Sequence, residues 1–146
     1  MLIIKHQRER TLSTIYNALM MEPIERAMAR EINLTRQGFM AGMVEADVLG
    51  FVIDGELAGG AFFNQGRIHI AVLPRFKGRW ARGLKRVMDY GFKRHGSPLV
   101  ARVQRDNAQA VKFVEAVGCV LKEESDKCFV FICTPERMRY RKARGN

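Results

Sequence analysis

Apolar residues recur along the chain in two rhythms, one of period two and one of period near four, and each change of rhythm marks an element. After a short strand at residues 2–5, the segment 9–29 carries apolar side chains at Leu12, Ile15, Tyr16 and Leu19, then at Ile24, Ala27 and Met28. Pro23 separates the two sets, which predicts two helices or one helix bent there. Apolar runs at 48–53 and 57–63 are joined through Asp54-Gly55, a two-residue hairpin signal, and Asn64-Gln65-Gly66 turns the chain into a further strand at 67–73. The result is a three-stranded antiparallel meander. Residues 80–95 keep helical spacing and end at Gly96; Ser97-Pro98 opens a strand at 99–103; Asn107 can cap a second helix closed by Gly118. A helix between two strands is the usual right-handed crossover of a parallel pair. Runs at 119–122 and 127–134 read as a closing hairpin. Together these predict a mixed α/β (α+β) sheet with helices on both faces.

Length and composition narrow the picture. The 146 residues suffice for one domain with a proper core, over residues 1–135, followed by a basic tail at 136–146. No run of eighteen apolar residues occurs and the N-terminus lacks a signal-peptide core, so a soluble, cytoplasmic protein is expected. Cys119, Cys128 and Cys133 are odd in number and fall in predicted strands, which favours buried thiols over a disulfide framework or a metal site.

Charge changes the picture more. The net charge of +10 implies anionic partners, and the cations cluster at 75–94 and again in the tail. The first cluster follows a strand and opens a helix, where unpaired backbone N–H groups and the positive helix end already attract anions; Arg75, Lys77, Arg79 and Arg82 crowd that turn. The tail reads first as a solvated segment and alternatively as an anchor for nucleic acid or an acidic protein. No membrane partner is indicated, and self-association into a homo-oligomer stays open.

The segments IHIAVLPRFKGRWARGL and LVARVQRDNAQAVKFVEAVGCVLKE resemble the GNAT superfamily of N-acetyltransferases over roughly residues 48–134. The resemblance implies a central twisted sheet of six to seven strands and acetyl-CoA as co-substrate, without metal. It places the pantetheine arm on the backbone of Ala71, Val72 and Leu73, with the Val72 N–H as oxyanion donor. Lys77, Gly78, Arg79, Trp80, Ala81 and Arg82 fall on the six positions of the phosphate turn, where Trp80 and Arg82 replace residues that are small in the family. A Gly-Arg-Trp-Ala turn of this kind is similar to a divergent bacteriophage branch.

His69 is the implied base, sharing a face with Ala71 and Leu73, with Glu45, Asp47 and Glu56 as substitutes. Asn107 matches the motif Asn. The position of the family's acidic Tyr falls on Val114, while Tyr90 reads as packing. The methionines at 20, 21, 28, 40 and 43 lie in the helical region that shapes the acceptor site in the family. The implied activity is acetyl transfer to a primary amine by direct attack on the thioester. The rival is a binding or structural protein that keeps the fold while its altered turn no longer holds CoA, such as a phage particle component.

Overall fold

A computed structural model describes residues 1–140. Seven strands form one sheet in the order β1-β2-β3-β4-β5-β7-β6: β1 (Leu2–Ile4), β2 (Asp47–Ile53), β3 (Glu56–Asn64), β4 (Arg67–Val72), β5 (Leu99–Gln104), β6 (Val120–Glu124) and β7 (Cys128–Cys133). All neighbours are antiparallel except β4 and β5.

Pro23 ends one helix and starts the next: α1 (Arg8–Met21) stops at Glu22, whose side chain accepts the Glu25 N–H at 2.7 Å and so caps α2 (Pro23–Glu31). A third helix, α3 (Arg36–Gly42), is capped by Thr35 through the Gly38 N–H at 3.0 Å. These helices cover one sheet face, where Leu12, Ile15 and Ala18 pack with Phe39, Val48 and Ala71. The strand glycines Gly50 and Gly60 keep this face open to α1: a Cβ on Gly50 would meet Thr11 and Ile4, and one on Gly60 would meet the Leu49 carbonyl and Ile15.

The other face carries α4 (Leu84–His95) and α5 (Ala108–Ala116) over Leu49, Phe51, Phe63, Leu99 and Phe131. Side chains this deeply buried contribute about 1.5–3 kcal/mol each. Ile68, Ile70 and Val72 face α4, while Ala71 and Leu73 face α1, as strand alternation requires.

Two features correct the sequence reading. Cys119 and Cys133 are joined in a disulfide, because the β6–β7 hairpin brings the residue before β6 beside the end of β7; only Cys128 is a buried thiol. Residues 136–140 do not project into solvent as a tail. The Arg139 N–H donates to the Val117 carbonyl at 2.8 Å, and Met138 and Tyr140 pack against the main core, the Tyr140 ring beside Lys85 of α4. The rest of the expected tail, residues 141–146, lies outside the described residues. Among the described residues no helix is long and apolar enough to cross a membrane.

Candidate active site

The parallel pair β4 and β5 touches only at its beginning. Arg67 is in register with Val100, and the Val100 N–H donates to the Gly66 carbonyl at 2.8 Å; beyond that point no pairing continues. On its other side β4 stays paired to β3 along its length. The Leu73 N–H donates to Ala58 at 2.8 Å, so by backbone alternation the amide groups of Ile70 and Val72 point away from β3 and into the gap that β5 leaves. Gly59 holds the β3 side of this arrangement. It has φ of +150° opposite Val72, and a Cβ there would lie on the Ala71 carbonyl.

The gap opens toward the turn between β4 and α4. Short 3-10 turns at Pro74–Phe76 and Ala81–Gly83 bracket Gly78, whose φ of +82° reverses the chain. Among the described residues the N–H groups of Gly78, Trp80, Ala81 and Arg82 have no protein acceptor. Such a row of free donors at the start of a helix suits an anion.

The four cations of the turn divide. Arg79 pairs with Asp54 at 2.6 Å and Arg75 with Glu56 at 3.6 Å, both on the β2–β3 hairpin. The Lys77 Nζ donates to Gln109 Oε1 at 3.2 Å, in the first turn of α5, while Arg82 is exposed and has no acidic partner among the described residues. Trp80 lies folded inward, against Phe51 and Phe113. Asn107 caps α5, its Oδ1 accepting the Ala110 N–H at 3.1 Å.

His69 sits on the α1 side of β4, stacked on Phe62 with ring centres 5.1 Å apart. Desolvation pulls its pKa down to about 4. Phe62 continues through Phe39 to Tyr16, an aromatic column linking β4 to α1 and α3. Beside it, Met20, Arg26, Ala29, Arg30, Leu34 and Thr35 line a cleft of about 500 Å³. Val114 is buried in the core and offers no proton.

Of the proposed substitute bases, Glu56 is engaged by Arg75, and Asp47 belongs to a network at the far end of the sheet. Asp47 Oδ2 accepts from Tyr90 Oη at 2.6 Å and lies 2.8 Å from His95 Nε2, with Lys5 Nζ 3.7 Å from the other oxygen. Burial pushes this carboxyl up, but the hydrogen bonds from Tyr90 and His95 and the charge of Lys5 outweigh it and leave its pKa below the usual aspartate value. Tyr90 is therefore tied by its hydroxyl as well as packed. The sequence offered no signal for this network, whose members come from the residue after β1, from β2 and from the last two turns of α4.

No family model matches the chain and no curated protein resembles it in sequence. Solved structures do resemble it in fold. A GCN5-related N-acetyltransferase from Rhodopseudomonas palustris superposes with a TM-score of 0.70 at 15% identity, over 91% of this chain and 94% of that one. The PaiA N-acetyltransferase of Thermoplasma acidophilum, solved with coenzyme A, gives 0.68 at 14% identity over 90% and 97%. The Campylobacter jejuni N-acetyltransferase PseH, solved with acetyl-CoA, gives 0.63 at 13% identity over 92% and 99%. The chain has the GNAT fold, with a seven-stranded mixed sheet and helices on both faces.

Proposed function

We propose that this GNAT-fold protein is an acetyl-CoA-dependent N-acetyltransferase acting on a primary amine. The observation that carries the reading is the parted β4–β5 pair, with unpaired backbone donors of Val72 and Ile70 inside it and a cationic turn at its mouth. The residues fit the co-substrate: the gap takes an extended thiol arm, and the free N–H groups of Gly78, Trp80, Ala81 and Arg82, with the Lys77 and Arg82 side chains, take its phosphates. Acetyl-CoA would supply an acyl thioester, which an amine nitrogen attacks while the thiolate leaves.

The chain's own part is mostly positional. The Val72 N–H donates to the carbonyl oxygen as negative charge develops there, an interaction worth more in the transition state than before it. His69 is the titratable side chain next to Ala71 on the acceptor side. With a pKa of about 4 it is neutral at pH 7, yet it holds a proton weakly, so it serves as a relay rather than a store. The thiol of the product has an ordinary pKa of about 8.5 and departs tolerably as thiolate, so Val114 in place of a donor slows the step without stopping it.

A second reading rests on that same pair of residues. A chain with Val114 at the acid position and a base as weak as His69 can bind acetyl-CoA without turning it over, as a binding or structural component. Two measurements separate the readings: calorimetric titration with acetyl-CoA, and thiol release from acetyl-CoA in the presence of polyamines, aminoglycosides and peptide amino termini. Binding with thiol release supports the enzyme, and binding without release supports the second reading. Absence of binding at millimolar acetyl-CoA refutes both.

A further inference from the structure

The positive charge of the chain is concentrated in two stretches. Residues 74–105 carry ten cations and one acid, and residues 136–144 carry five cations and one acid, whereas the rest of the chain has a slight acidic excess. The fold brings the described part of the second stretch, residues 136–140, beside the first. Lys85 Nζ lies 5.8 Å from the centre of the Tyr140 ring, Met138 packs against the main core, and the Arg139 N–H donates to the Val117 carbonyl. Arg82 lies just before α4, helical spacing puts Lys85, Arg86 and Lys93 along the exposed side of the helix, and Arg137 and Arg139, also exposed, widen this row toward α5. Two acids lie within this surface, Asp89, which is held by Lys85 at 2.6 Å, and the exposed Glu136 beside Arg137.

The phosphates of CoA would engage only one end of this row. From Arg82 to Lys93 the chain rises about 16 Å, well beyond the turn at 77–82. The row also lacks what a protein partner needs at the centre of an interface, a large apolar anchor. The exposed large apolar side chains are Leu2, Met21, Met28, Ile32, Val44, Val120 and Leu121, and none belongs to the turn, to α4 or to residues 135–140. Cations without anchors suit a partner that presents regularly spaced charge, and about 16 Å matches the rise of about five base pairs.

We propose that α4 and the docked C-terminal segment form a binding surface for the phosphate backbone of nucleic acid, separate in extent from the acetyl-CoA turn.

The test uses the full chain and a fluorescein-labelled DNA duplex of about 20 base pairs, titrated by anisotropy at salt concentrations from about 50 to 200 mM. Four to five phosphate contacts give a log–log salt slope of about −4. The double variant Lys93→Glu/Arg137→Glu is expected to bind at least tenfold more weakly with a slope shallower by about 2. Arg26→Glu/Arg30→Glu on α2 makes the same change in net charge away from the row and is expected to bind like the unaltered protein. Circular dichroism checks that both variants fold. The proposal is overturned if the unaltered protein shows no binding at the lowest salt, if the α2 variant loses as much affinity as the α4 variant, or if polyglutamate displaces the duplex at equal charge concentration.

Discussion

Trp80 lies stacked on Phe51, with ring centres 6.3 Å apart and planes 15° from parallel. It also meets Phe113 of α5 at 5.2 Å. The bulk that replaces a small residue in the phosphate turn is thus turned down between sheet and helix, and the mouth of the β4–β5 gap is left to backbone donors.

This makes Trp80 a structural side chain. Trp80→Ala is expected to cost about 2–3 kcal/mol, less than full burial would give because the ring is partly exposed. Urea unfolding followed by far-ultraviolet circular dichroism reads this directly. A loss below about 0.5 kcal/mol would mean the stack carries no packing energy.

Arg82 is the turn cation without an acidic partner among the described residues, so Arg82→Gly separates two roles. If the guanidinium holds a phosphate, acetyl-CoA affinity drops by about 1.5–3 kcal/mol. If it crowds the turn, affinity rises. The expected outcome is the drop, measured by calorimetry; an unchanged dissociation constant would place the side chain away from the ligand.

His69 links stability to pH. Its folded pKa of about 4 lies below the ordinary value of 6.5, so between these values the unfolded chain binds more protons. The contribution is complete above pH 6.5 and declines as pH falls toward 4, by up to about 3 kcal/mol. His69→Phe should flatten the stability profile across that window in chemical denaturation at several pH values. If His69 relays the amine proton, the rate profile should show no break near pH 6.5. A break that disappears in the variant would assign His69 an ordinary pKa and contradict its burial.

Asp47 gathers Tyr90, His95 and Lys5 where α4 ends over the start of β2. Asp47→Asn is expected to destabilise the fold by about 1–3 kcal/mol, because it leaves half-buried donors around a neutral amide. In a double-mutant cycle with Tyr90→Phe the two losses should not add. Acetyl-CoA affinity should stay as it was, since the network lies at the opposite end of α4 from the phosphate turn.

Most of the sheet was legible because its signals are local. The Asp54-Gly55 turn, the break at Pro23 and the Asn107 cap each act within four residues, and the corresponding elements stand where the pattern put them. Helix α3 escaped notice because seven residues are too few to establish a period, and its Thr35 cap is visible only once the helix is known. The disulfide and the Asp47 network depend on residues brought together from distant parts of the chain, with no mark in local spacing. The parting of β4 from β5 is a matter of register: the residues after Arg67 look like any core strand, and only the missing partner distinguishes them.

The strand order has a consequence for synthesis. β7 lies between β5 and β6 although it follows both in the chain, so β5 and β6 have no lateral contact until Cys128–Cys133 has entered between them. On the ribosome, a chain that has emerged only as far as β6 can assemble the β1–β4 meander with its covering helices but cannot complete the sheet. Closure waits for β7, and nascent chains stalled before Cys128–Cys133 has emerged should remain open to proteases in the region after residue 104.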